Sequence, residues 1–212
     1  MKKNHVTAAL FICGALACGL VGLYSSISAA NRARELTPVT SAGLRDTEPG
    51  RDALVEARVS ERNALKIHGF VAYVHEWREI DEEGEAGSWQ EDARVTPPLL
   101  LELSDGLVQV GNDDYDLEDG HAIEEGDAFE EPETRYRGIR VGDSVLAVGS
   151  ARAGAELPEL EADFIALGTR ERYVARRRLG GLIFCGFSVL VGAVGGIVLF
   201  WDQLRRLLRR RG

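Results

Sequence analysis

Acidic side chains are the densest chemistry in this 212-residue chain. Between Gly111 and Pro132 stand Asp113, Asp114, Asp116, Glu118, Asp119, Glu124, Glu125 and Asp127. Counted from Asp114, acids fall at positions 1, 3, 5 and 12, the spacing of an EF-hand loop. Asp114, Asp116, Glu118 and Glu125 would then be the oxygen ligands offered to calcium. The match breaks at the sixth position, where the sharp turn needs Gly and the chain has Asp119. Gly120 comes one residue late, and no helix pattern flanks the loop. The segment therefore reads as a solvated, mobile acidic loop, with a calcium-dependent or enzymatic module as the alternative. His68 and His75 are seven apart, which on one unbulged strand sends them to opposite faces, so a shared metal is not expected. No Gly-x-Ser-x-Gly is present, and Cys13, Cys18 and Cys185 all fall inside apolar runs. Ser104-Asp105-Gly106 reads as a hairpin turn rather than a nucleophile. Gly142-Asp143 lacks the Gly-rich run and Lys of a phosphate loop. Trp77 and Trp89 read as core or rim aromatics. These residues predict no catalytic site, no metal and no cofactor.

The elements that would carry these residues are set by an uneven distribution of charge. The formal charge is −9, and 33 of the 34 acids lie between residues 31 and 178. That balance excludes a nucleic-acid partner, because polyanions want a basic surface. Val6 to Ala30 and Leu179 to Trp201 carry no charge at all. A bilayer core of about 30 Å needs roughly 20 helical residues, so both runs are long enough to span it. The first also admits a cleaved signal peptide ending near Ser28-Ala29-Ala30, although its length favours a retained anchor. The second is flanked by Arg176, Arg177 and Arg178 before it and five arginines between 205 and 211 after it. The basic ends predict that both termini are cytoplasmic and that residues 31–178 are extracytoplasmic, in a two-pass cell-membrane protein. Ser188, Gly192 and Gly196 recur every fourth residue and offer a face on which helices could pack, to each other or to a second copy.

Between the two runs the pattern is that of strands. Residues 31–51 are polar and hold Pro38, Pro49, Gly43 and Gly50, a linker with room for one short helix. The β domain is expected over 52–169. Ala53 to Val59 alternates, and Lys66 to Trp77 reads as a long central strand in which Gly69 marks a bulge or bend. Ser88 to Thr96 follows as a strand. Leu99 to Leu103 and Leu107 to Val110 flank an Asp-Gly turn, the strongest local hairpin signal in the chain. Gly111 to Pro132 reads as irregular. Ser144 to Gly149 and Phe164 to Leu167 close the series. Seven or eight short strands fit a mainly β domain, a small OB-like Greek-key barrel or a sandwich, flanked by two transmembrane helices and followed by a basic tail at 202–212.

The strand His68-Gly69-Phe70-Val71-Ala72-Tyr73-Val74-His75-Glu76-Trp77, the isolated Trp89, the Pro98-Leu99-Leu100-Leu101 hairpin and the Ile139-x-x-Gly142-Asp143 segment stand in order between the two apolar runs. This order resembles the GIDE family, or BAM ("beside a membrane") domain, over residues 5 to 201. The resemblance implies a β domain held beside a membrane, as between the helices of mitochondrial membrane-anchored ubiquitin ligases. Those ligases carry a zinc-binding RING after the second helix. The eleven residues after Trp201 hold no Cys or His, so ubiquitin-ligase activity is not expected to carry over. The expectation is a non-enzymatic binding or scaffolding module whose partners are membrane lipid and a protein or envelope component.

Overall fold

The computed structural model describes residues 28–81, 84–125, 133–154 and 156–209, with isolated positions 14, 21 and 24; beyond 183, side chains are described only at Cys185, Gly186, Ser188, Val189, Leu190 and Ala193. The chain forms two compact units, residues 1–32 with 174–212, and residues 33–173. The second unit holds every described strand.

Five strands close into a small barrel. They are β1 (Asp52–Val59), β4 (Leu99–Leu103), β5 (Gly106–Val110), β9 (Ser144–Arg152) and β10 (Glu159–Leu167). β1 pairs antiparallel with β4 and with β9, β4 with β5, and β9 with β10. A parallel contact of Gln109 and Val110 with Glu159 and Leu160 joins β5 to β10 and completes the ring. β6 (Asp116–Glu118) adds to β10 in parallel. β9 explains the closure at residue level. Val145, Leu146, Ala147 and Val148 are all buried, so both faces of this strand are covered, and its continuous apolar run suits that position. At Gly149 a Cβ would overlap the carbonyl of Glu161, next to an irregularity in β10 at Ala162 and Phe164.

A second sheet is built from two insertions into the barrel. β2 (Phe70–Arg78) and β3 (Gln90–Val95) lie between β1 and β4 in sequence, and β7 (His121–Glu125) and β8 (Glu133–Arg140) between β5 and β9. The order is β3-β2-β8-β7, all antiparallel. Val71, Ala72, Val74 and Ile139 of this sheet join Val55, Leu101, Val108 and Ile165 of the barrel in one apolar cluster.

Two expectations are corrected here. Lys66 to Trp77 is not one strand. Ile67–Gly69 is a 3-10 turn in which His68 (φ 53°) and Gly69 (φ 73°) are both left-handed, and this breaks the extended chain before Phe70. The acidic stretch 111–132 is not wholly irregular, since it contributes β6 and β7.

The linker does hold a short helix, α1 (Ser41–Arg45), and it is clamped to the barrel. Both carboxylate oxygens of Asp105 accept from the backbone N–H groups of Ser41 and Ala42 at 3.0 Å. The Ser41 hydroxyl donates to the Leu107 carbonyl. The N–H bonds from Ala42 and then Ser41 hold the Asp105 carboxyl below the usual aspartate range. The turn that reads locally as a hairpin is thus also the cap of α1.

The last helix, α2 (Arg170–Arg209), begins as part of the folded domain. The Arg170 N–H donates to Glu56 at 2.6 Å, and its guanidinium donates to the Leu36 carbonyl at 3.0 Å. The Tyr173 hydroxyl donates to Glu118 at 2.6 Å, while its ring stacks on Phe164. Residues 28–35 are helical. Most of the first apolar run, 6–30, lies outside the described residues. Among the described residues no helix is long and apolar enough to cross a membrane.

Candidate binding surface

The open face of the second sheet gathers the unassigned polar chemistry. Register places His75 opposite Tyr136 and Tyr73 opposite Gly138, so Tyr73, His75 and Tyr136 share one face. Ile123 lies opposite Tyr136 on the other side. The rings touch: Tyr136 lies 5.5 Å from Tyr73 and 4.6 Å from His75 between centroids. The left-handed turn adds a fourth ring, because it folds His68 back onto Tyr136 at 4.8 Å. His68 and His75, expected on opposite faces of one strand, therefore flank the same phenol.

Each imidazole holds a carboxylate. His68 Nε2 meets Glu125 at 2.7 Å, and His75 Nδ1 meets Asp92 at 3.0 Å. Burial first, then the charges of Glu125, Tyr73 and Asp92, raise the Tyr136 phenol above the ordinary tyrosine range, so it stays neutral at neutral pH. Such a surface offers flat apolar rings edged by hydrogen-bond donors and acceptors, a combination suited to binding.

The opposite face is held by charge. Glu76 accepts from Arg135 at 2.7 Å and Arg137 at 3.4 Å, and Glu133 pairs with Arg78 at 2.5 Å. The guanidinium groups of Arg78 and Arg135 lie 4.4 and 4.0 Å from the Trp89 ring centroid. Trp89 is thus a rim aromatic that organises an ion-pair ladder. Arg94 bridges Glu91 and Asp116, and the hydrogen bond to Arg94 holds Glu91 below the usual glutamate range.

The four acids with EF-hand spacing do not converge. Asp114 accepts from Asn112, Asp116 from Arg94, Glu118 from Tyr173, and Glu125 meets His68. Among the described residues no group of three or more His, Cys, Asp or Glu is arranged to hold a metal. His121, in β7, meets Asp143 at 3.0 Å, and Asp143 also accepts from the Arg140 N–H. One cleft of about 320 Å³ is lined by Arg45, Thr47, Arg152 and Glu156. Its arginines are engaged, Arg45 with the Glu156 carbonyl and Arg152 with Glu159 and Glu161. Of the expected helix-packing residues, Ser188 is buried, while the surroundings of Gly192 and Gly196 lie outside the described residues.

Tyr136 is the residue that sequence reasoning missed. Its role depends on which residue of β2 it faces, and Gly69 gave the only local hint of the turn that brings His68 to it. No protein-family model matches the chain, and comparison with curated proteins and with solved structures finds no match.

Proposed function

We propose that this chain is a two-pass membrane protein that holds a non-catalytic β domain of OB type beside the outer face of a cell membrane. Its open aromatic–imidazole face binds a protein or envelope component. The observation that carries the reading is how α2 begins. Arg170 and Tyr173 are bonded into the barrel through Glu56 and Glu118, and the same helix continues into the uncharged run Leu179–Trp201. At about 1.5 Å per residue such a run matches a bilayer core, and its arginine flanks favour a cytoplasmic C-terminus. The five-strand ring with one parallel pair supports the OB-type part of the reading. The resemblance to the GIDE family points the same way. Ser188, Gly192 and Gly196 give α2 a small-residue face for self-association or for the first helix.

The test uses the full chain in bacterial membranes. It should resist carbonate extraction. A cysteine at Glu85 should react with an impermeant maleimide from outside, and one at Gly212 only after permeabilisation. Release by carbonate, or the reverse labelling pattern, would rule the topology out. For the non-catalytic part, reproducible turnover in a hydrolase substrate panel, lost on a single polar substitution, would refute it.

A further inference from the structure

Several connections of the domain leave the barrel at one end. Ala57 of β1 and Leu167 of β10 both lie opposite Val145, so β1 and β10 end at the same end of the barrel. From that end the chain enters α2, and from that end residues 60–69 leave β1 for β2. The turn 141–143 is there too, with the Gly142 N–H on the Val59 carbonyl. The ends of β2 and β8 that lead into the acidic connections, where Arg78 faces Glu133, are the opposite ones. Those connections carry Glu79, Asp81, Glu82, Glu83 and Glu85, and Asp127, Glu130 and Glu131. The connection 60–69 carries instead Arg62 and Lys66 against Glu61, with exposed Arg58 just before it. Lys66 is the only lysine beyond residue 3.

This basic connection also holds large apolar side chains in water. Leu65 is 64% exposed and Ile67 40%. They are kept there by a built scaffold. Asn63 donates to the carbonyls of Ser60 and Leu100 and accepts from the Leu100 N–H, all within 2.9 Å. The Lys66 N–H donates to the Phe70 carbonyl at 2.6 Å, and His68 is fixed against Glu125 and Tyr136. Two outward apolar side chains either side of a lysine suit an interface that is apolar below and phosphate-lined above, where the ammonium can reach outward from its stem.

We propose that residues 61–69 are a membrane-docking finger. Leu65 and Ile67 enter the boundary between headgroups and acyl chains of the bilayer that α2 crosses, and Arg62 and Lys66 engage lipid phosphates. This rests on the membrane-anchored reading above. The bilayer is favoured as occupant because the uncharged run starts nine residues after Arg170, about 14 Å along a helix, so the lipid surface is tethered at high effective concentration. The charge of the connection itself adds to this, since anionic lipid attracts Arg62 and Lys66.

The test reconstitutes the full chain, with Cys13, Cys18 and Cys185 changed to Ala, into vesicles of phosphatidylcholine alone or mixed with phosphatidylglycerol. An environment-sensitive dye is attached at Leu65→Cys or, as the control at the acidic end, at Glu85→Cys. At 65 the emission should shift to the blue and be quenched by nitroxide-labelled lipid, more so with phosphatidylglycerol; at 85 neither should happen. Lys66→Gln should lower the docked-to-free ratio on the anionic vesicles by about fivefold. A chain that survives carbonate washing with a water-like dye at 65 overturns the finger while leaving the anchor standing. Release by carbonate overturns both. Protection at 65 that appears only in native membranes, with a crosslink from that position to a protein, assigns the finger to a protein partner and overturns the lipid proposal.

Discussion

The barrel and the sheet inserted into it share one apolar cluster but differ in what else holds them. In the barrel, β9 is buried along most of its length, and Leu54, Leu160 and Ile165 of its neighbours β1 and β10, with Leu101 of β4, are fully covered. In the inserted sheet, β3 is exposed at five of six positions, and the strands are tied by Glu76 with Arg135 and Arg137, and by Arg78 with Glu133. Apolar burial is non-directional and tolerant of environment, whereas paired charges depend on geometry, ionic strength and protonation. One unit thus contains a region built to persist and a region built to present groups. The open rings of Tyr73, His75 and Tyr136 are carried by the second.

The contrast can be broken most severely in the barrel. Leu101→Ala removes a fully buried side chain at the centre of the apolar cluster and should cost about 2–5 kcal/mol, read as a lower denaturation midpoint with an unchanged m value. A loss under 1 kcal/mol would mean that the barrel repacks and is no more rigid than the sheet. Glu76→Gln should cost less, about 1–3 kcal/mol, because the carboxylate is mostly covered and serves two guanidinium groups. Hydrogen exchange should place that loss in β2, β3 and β8 and spare β9. Uniform acceleration across both sheets would show that they unfold as one body.

Protonation separates the regions more gently. Asp105 has a folded-state pKa held below its unfolded one, so its contribution is present above the ordinary aspartate range and is lost as pH falls through the lower value. Acidification should therefore free α1 from the hairpin before the barrel opens, seen as faster exchange at Ser41 and Ala42. Asp105→Asn should weaken that step. Equal pH dependence in the variant would remove Asp105 from it.

Salt should have the smallest effect. Acids crowd the sequence at 81–85 and 124–133, and up to about 1 M salt, where the Debye length is near 3 Å, should raise the melting temperature slightly by screening like charges. Glu124→Gln with Glu125→Gln should reduce the gain. A falling melting temperature would show that screening the Glu76 and Glu133 pairs outweighs the relief.

How far the sequence was legible follows the same division. Ser144 to Gly149 reads as a buried strand because its own apolar run determines its place, and Ser104-Asp105-Gly106 reads as a turn because Gly106 tolerates the positive φ of 157°. The second sheet was harder. β6 and β7 lie in an acidic stretch whose own pattern says loop, and they are held from afar, β6 by Arg94 on Asp116 and Arg137 on the Leu117 carbonyl, β7 by its antiparallel pairing with β8. Trp89 was readable as a core or rim aromatic but not as a platform for Arg78 and Arg135. At the candidate site, His68 was visible and its position was not, because a left-handed histidine is set by contacts with Glu125 and Tyr136 that no local spacing encodes.

The parallel closure of β5 on β10 has a consequence for how the molecule is made. β10 is the last strand to leave the ribosome, yet β9, β5 and β6 all pair with it, and Gln109 waits for Glu159 across four intervening strands, two of them in the other sheet. Until Leu167 has emerged, the ring is open and the apolar edges of β9 and β5 have no partners. Folding should therefore be slow for a domain of this size, since long-range pairing pays its loop entropy before any reward. It should also complete only as α2 follows directly behind. A nascent chain stalled before Glu159 should be digested readily by protease along β1 and β9, and one stalled after Arg209 should resist.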